Sequence, residues 1–247
     1  VRRVLLGAAG FLLLGLALQA AAAAGVPGAS DVLRAGMDLG SDPGFLTHLA
    51  GTAGTALLGV LIALALAVPA GLALGCLPAL ERHARVVIEF ARPVPSLALI
   101  PPAILILGPG LPLRAGLAAY ACAWPILFNA LYGARSADPV AVDTLRAFGF
   151  AFPSIVARLH LPSAVPYVVT GVRHAVAVAL IVTVGTELLA GGSAGVGTFL
   201  RDLAGGPGNR AAMLAAAVWT GALGLALSRL LVLAERTALR RFGPAAR

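Results

Sequence analysis

DTLRAFGFAFPSIVARLHLP, residues Asp143 to Pro162, is the one long polar and aromatic interruption in a chain that otherwise reads as membrane spans. Just before it, Asp138-Pro139 offers a helix opening: an Asp that can cap free N–H groups and a Pro whose fixed φ suits the first helical position. Gly149 is a natural stop, because glycine closes a helix in the left-handed conformation without a Cβ penalty. Phe152-Pro153 then restarts the chain as a second short helix, expected to end before Pro162. The pattern predicts a helix-turn-helix outside the bilayer. Its apolar groups are Phe148, Phe150, Phe152, Ile155, Val156 and Leu159, with Arg146, Arg158 and His160 among them. A surface element so rich in aromatics implies a partner, although half of the rings are expected to pack on the chain's own helix ends.

Composition sets the context. The 247 residues are 60% hydrophobic and 11% charged, and the mean hydropathy of +0.95 excludes an ordinary soluble domain. All 18 basic residues are Arg. A Walker A loop needs a Lys on the phosphates, so ATP hydrolysis would have to sit on another polypeptide. In a membrane chain a net charge of +8 reflects the excess of Arg on the cytoplasmic side rather than nucleic-acid binding.

Hydropathy divides the chain, read as a single transmembrane domain over 1–247, into six spans at about 4–24, 49–77, 86–107, 113–133, 165–190 and 211–234. The first follows Arg2 and Arg3 and ends in an Ala-rich stretch. A cleaved signal peptide is its rival, and a retained span is favoured because the run is long enough to cross a bilayer. Residues 27–48 read as an acidic outer loop with Asp31, Asp38 and Asp42. In the second span Gly71 and Gly75 have the small-xxx-small spacing that lets another helix approach closely. The third carries Pro93, Pro95, Pro101 and Pro102, which predict a kinked or broken helix lining the bundle interior. Residues 191–210 read as a glycine-rich outer loop. With both termini inside, twelve Arg fall in inside segments or, for Arg229, toward the inner end of a span, against four outside or at an outer span end, Arg34, Arg114, Arg201 and Arg210, which supports this orientation.

Asp143, Gly149 and Leu159-x-Leu161-Pro162 keep the spacing of the EAA loop of ABC importer permeases, with Asp143 in place of the Glu and Thr144-Leu145 in place of the two Ala. RPVPSLALIPPAILILGPG, Arg92 to Gly110, resembles the third-span signature of the nitrate/sulfonate/taurine class. LPSAVPYVVTGVRHAVAVALIVTVGTELLAG, Leu161 to Gly191, followed by Gly195-Val196-Gly197, resembles the same class after its coupling loop. The resemblance implies an all-α polytopic membrane protein, the type I (MetI-like) bundle of six transmembrane helices, in the bacterial cytoplasmic (inner) membrane. It implies transport of a small solute such as a sulfonate, nitrate or taurine. The partners implied are a cytosolic ABC ATPase dimer, a second permease copy as homodimer, an extracytoplasmic solute-binding protein and the lipid bilayer, with no nucleic acid. No cofactor or metal is expected on this chain, ATP and Mg being bound by the partner. Docking on the ATPase would fall to Asp143, Arg146, Phe148, Gly149, Phe152, Leu159, Leu161 and Pro162.

Charges inside spans are costly and mark either the transport path or ion pairs between helices. Glu89, Arg92, Arg173 and Glu187 are the candidates. A Glu89–Arg173 pair is expected from their comparable depth, and a structural ion pair is favoured over solute contact because an unpaired charge there costs several kcal/mol. Glu187, near the outer end of the fifth span, belongs either to an outer gate or to interfacial water. Two other classes remain as alternatives. An ATP-independent secondary carrier would show an internal repeat, which the sequence lacks. An intramembrane serine protease could use Gly191-Gly192-Ser193-Ala194-Gly195 with His48, but a G-x-S-x-G elbow needs a strand-to-helix turn. Cys76 and Cys122 lie at different depths without metal-ligand spacing and read as packing residues.

Overall fold

The computed structural model describes residues 19, 20, 27–192, 194–205 and 209–241. The expected first span, 4–24, lies outside the described residues except for Gln19 and Ala20, as do the side chains of the Arg-rich C-terminal end. Among the described residues the secondary structure is helical, with no strand.

The acidic stretch expected to be an outer loop is instead a helix, α1, Ala29–Ser41. Its polar residues disguise an apolar stripe, with Val32 and Leu39 buried two turns apart. Asp31 in the first turn complements the positive end of the helix dipole. The next helix, α2, Pro43–Cys76, starts earlier than the expected span because Asp42 accepts hydrogen bonds from the N–H groups of Gly44 and Phe45, with Pro43 in the first turn.

The expected third span is broken. An amphipathic helix, α3, Pro78–Ala91, is followed by a 3₁₀ turn, Ser96–Leu99, and a short helix, α4, Ile100–Leu107, and the two arms meet at 81°. Pro93 and Pro95 fall in the break, where their missing N–H groups and fixed φ forbid a continuous helix. This segment does not line the interior of the chain's own bundle, as the sequence suggested. None of the residues of α3 is buried, and in α4 only Ile100 is. Its charges keep α3 out of the core, and it is tethered at the edge by the Tyr120 hydroxyl, which donates to the Ala91 carbonyl at 2.5 Å.

A long helix, α5, Leu111–Arg135, leads to α6, Pro139–Ala147, which is capped by Asp138. The turn at Gly149 has φ +77°, and α7, Phe152–Ile155, follows. This second helix does not stop before Pro162. A π turn, Val156–His160, joins it to α8, Leu161–Ala190, so that Phe152–Ala190 is one 39-residue helix. The wider π turn gives the Pro162 ring room where a regular turn would press it against the carbonyl four residues earlier. The glycine-rich outer segment contains a further helix, α9, Val196–Gly205, before the last, α10, Arg210–Arg241.

Four described helices are long and apolar enough to cross a membrane, and the bent α3–α4 pair makes up to five. Helices α2, α5 and α8 form the centre, with Ala56, Val60, Ala63, Cys122, Ile126, Ala175 and Ala179 at their shared core. Small residues allow the backbones to approach. A Cβ on Gly71 would lie 2.5 Å from the Leu127 carbonyl oxygen, and one on Gly75 would lie 2.6 Å from the Ala134 Cβ. A second core at one end gathers Val32 and Leu39 of α1, Phe45 of α2, Val196 of α9, and Ala215 and Ala216 of α10. There the Trp219 indole donates to the Gly36 carbonyl at 2.9 Å, which fixes α1 on α10.

Candidate functional site

The helix-turn-helix between α5 and α8 carries the residues that the sequence singled out, and the fold divides them between an inner and an outer face. Inward, Val142, Ile155 and Ala137 are buried with Leu145, Phe150 and Leu159 packed on them. The Arg158 guanidinium lies over the Phe150 ring, 4.8 Å from its centre, so this ring serves the loop's own core. His160 Nδ1 donates to the Ala134 carbonyl at 2.8 Å and ties the loop to the end of α5. Outward, Phe148 is 78% exposed and Phe152 44%, and Val140 and Leu161 of the same element are exposed too. Pro162 is exposed as well. Arg146 and Asp143 form an exposed ion pair at 3.2 Å, one turn apart on α6. Such a pair contributes little to stability, and both groups stay available to another surface.

A second cluster lies where α3 meets α5. Glu81, in the first turn of α3, accepts from Arg85 at 3.0 Å and from Arg135 of α5 at 2.9 Å. Beside it opens a cleft of about 540 Å³ lined by Arg85, Glu89, Arg92, Phe128 and Tyr132. Arg92 is stacked 4.9 Å from the centre of the Phe128 ring. The cleft thus brings Glu89 and Arg92 together. Arg173, expected to pair with Glu89, does not line this cleft and has an interaction of its own.

Glu187, the remaining charge singled out within a span, sits inside the protein. It is fully buried, away from interfacial water. Its Oε2 accepts from the Thr52 hydroxyl of α2 at 2.8 Å and from the Gly197 N–H of α9 at 3.0 Å, and Arg114 of α5 lies 3.5 Å from Oε1. Arg114, expected in an outer loop, is buried in the first turns of α5 and donates to the Ala194 carbonyl at 2.7 Å. The Gly195 backbone lies against the carboxyl group, and any Cβ on Gly195 or Gly197 would collide with Glu187. His48 Nδ1 sits 3.0 Å from the backbone of Gly195, so its ring is committed to this segment. Ser193 of the G-x-S-x-G stretch lies outside the described residues. Sequence reasoning missed Thr52, His48 and Arg114 as a group. The Gly195-Val196-Gly197 spacing was its only visible trace.

Residues 60–240 match the family of binding-protein-dependent transport system inner membrane components. The chain is 26% identical over 190 residues to the bicarbonate transport system permease protein CmpB of Synechocystis sp., covering 77% of this chain and 68% of that one. It is 28% identical over 170 residues to the taurine transport system permease protein TauC of Escherichia coli, covering 67% of this chain and 62% of that one. The chain therefore spans about two thirds of the length of these relatives. An inward-facing structure of the MetNI methionine ABC transporter superposes with a TM-score of 0.68 at 19% identity, covering 82% of this chain and 99% of that one. At that identity the likeness establishes the fold.

Proposed function

Because the chain belongs to the family of binding-protein-dependent transport system inner membrane components, we propose that it is the permease subunit of an ATP-driven importer, with α6 and α7 as the ATPase-docking element. The observation that carries this reading is the exposed Phe148–Phe152 tip. Two aromatic side chains project from a helix-turn-helix whose own core is already filled by Phe150 and Leu159. Aromatic groups held rigidly at a tip suit insertion into a groove, and the Asp143–Arg146 pair can re-pair with charges of a partner.

ATP hydrolysis belongs to a separate subunit, and ATP and Mg would be bound there. The solute would be a small anion or zwitterion of the kind named for the relatives, bicarbonate or taurine. It would be delivered by a binding protein on the side of α1 and α9, with the helix-turn-helix in the cytosol and both termini on the cytosolic side. The exposed apolar residues of α3 and α4, Val86, Val87, Phe90, Leu105 and Ile106, suit a second copy of the chain around a shared path. Glu89 and Arg92 would then stand at the inner mouth of that path. The secondary-carrier and protease alternatives find no support among the matched proteins.

Purification from native membranes in mild detergent, with mass spectrometry of what accompanies the chain, tests this reading. An ABC ATPase should accompany the wild type and be lost from the Gly149→Asp, Phe152→Ala variant. A folded chain that emerges alone in both cases would overturn the assignment.

A further inference from the structure

We propose that Thr52, Arg114 and Glu187 are positioning residues that lock the segment Ala194–Gly197 and the start of α9 onto the outer ends of α2, α5 and α8, so that these ends travel as one body. Three observations carry it. First, one carboxyl group receives a bond or a charge from three other elements: the Thr52 hydroxyl, the Gly197 N–H and Arg114. Second, the Thr52 oxygen works in both directions, donating to Glu187 at 2.8 Å and accepting from the Val196 N–H at 2.8 Å. A single hydroxyl therefore connects α2 to α8 and to the first turn of α9. Third, the shape of the segment is adapted to the carboxylate. Gly195 lies against it at φ +152°, a conformation L side chains rarely adopt, and Gly197 packs over the Val184 carbonyl and the Glu187 Cβ.

A fixture differs physically from a gate. Opening the segment would strand a carboxylate and a guanidinium in a buried place, the costliest way to break such a pair. The outer mouth must therefore change its width elsewhere, between this body and its neighbours, which places the function of Glu187 in alignment rather than in contact with solute. This functional consequence rests on the importer reading; the lock itself does not.

Thr198 supplies a reporter. It is 4% exposed in the first turn of α9 and its hydroxyl has no hydrogen-bond partner, so Thr198→Cys removes no bond. With Cys76→Ala as background, native Cys122, fully buried in the central core, reports whether the bundle itself stays folded. Detergent-purified protein is treated with a water-soluble maleimide and both thiols are followed. Thr52→Val, which removes both bonds of the hydroxyl, should speed labelling of the Thr198→Cys thiol by roughly 10- to 100-fold. Cys122 should stay protected and Thr52→Ser should restore slow labelling. Glu187→Gln should shift labelling in the same direction by less, because Gln keeps an acceptor but loses the charge. Slow labelling in Thr52→Val, or Cys122 uncovered together with the reporter, would overturn the lock. In complex with the ATPase, trapping with ATP and vanadate should leave the wild-type reporter protected, and exposure on trapping would overturn the single-body claim. If no ATPase accompanies the chain, the importer reading fails while the labelling comparison still decides the lock.

Discussion

Replacing Gly71 and Gly75 together by Ala should separate α2 from α5. The magnitude follows from what the new methyl groups would meet. At Gly71 the obstacles are the Leu127 carbonyl oxygen at 2.5 Å and the Ala130 Cβ at 2.7 Å; at Gly75 they are the Ala134 Cβ at 2.6 Å and the Leu131 carbonyl oxygen at 2.7 Å. All four atoms belong to backbone or to a methyl fixed on it, so no rotamer change relieves them. The helices must move apart by roughly an ångström before the contacts reach ordinary separation, and the core that includes Ala67 and Ile126 opens with them. Overpacking of this kind costs about 1–3 kcal/mol per site, and the better helix propensity of Ala returns up to about 1 kcal/mol. For the pair that is about 2–6 kcal/mol of overpacking less about 2 kcal/mol of propensity, a net loss of up to about 4 kcal/mol. Gly54, on an exposed part of α2 where a new methyl would have no atom within 4 Å, is the control, because Gly54→Ala changes propensity without changing packing. Reversible unfolding in mixed micelles, followed by the signal of Trp124 and Trp219, measures both. If the Gly71→Ala, Gly75→Ala protein is as stable as Gly54→Ala, the close approach of α2 to α5 does not limit stability and the packing argument fails.

Other perturbations probe the remaining elements. Gly149→Ala should destabilise the helix-turn-helix by about 1 kcal/mol through the positive φ alone, since open space surrounds the missing Cβ. Gly149→Asn should cost less, and hydrogen exchange of the 139–160 amides reads the difference. Phe45→Ala should cost about 3–5 kcal/mol, because the fully buried ring is in edge contact with Phe199 at 5.1 Å and Trp219 at 6.4 Å; a change in Trp219 emission would accompany the loss. Glu81 ties α3 to Arg135 of α5 at 2.9 Å, so Glu81→Gln should loosen α3 from the bundle edge. Spin labels placed on α3 and α5 should read a longer and broader distance in Glu81→Gln than in the wild type, and an unchanged distance would refute the tie.

The residues that announced themselves in the sequence act through local geometry. Asp138-Pro139 opens α6 and Gly149 takes the left-handed turn because capping and φ are decided within a few residues. Asp42-Pro43 follows the same rule at the start of α2, and there the acidity of the surrounding stretch masked it. Charge density concealed α1 in the same way, although Val32 and Leu39 already stood two turns apart. Pro162 misled because the rule for proline assumes a regular turn before it, and the π turn removes that assumption. The buried set at Glu187 was beyond reach for a different reason. Its Thr52 partner is 135 positions away and carries no signal of its own, since nothing in a Thr within an apolar helix says that its hydroxyl will be used twice. Whether Arg114 faces water or a carboxylate depends on where α8 ends, which only the assembled bundle decides.

The continuity of Phe152–Ala190 has a mechanical meaning. At 1.5 Å per residue, 39 helical residues make a rod of roughly 58 Å, with Phe152 at one tip and Glu187 within a turn of the other. A stiff rod converts angle into distance: a tilt of about 5° pivoting at one end displaces the other by about 5 Å, comparable to one helical turn. Had the chain broken at Pro162, as its sequence suggested, a push on the aromatic tip would have been absorbed at the joint. With the joint bridged by the π turn, a displacement of the tip is carried to the Glu187 end through helix alone, without passing through any loop.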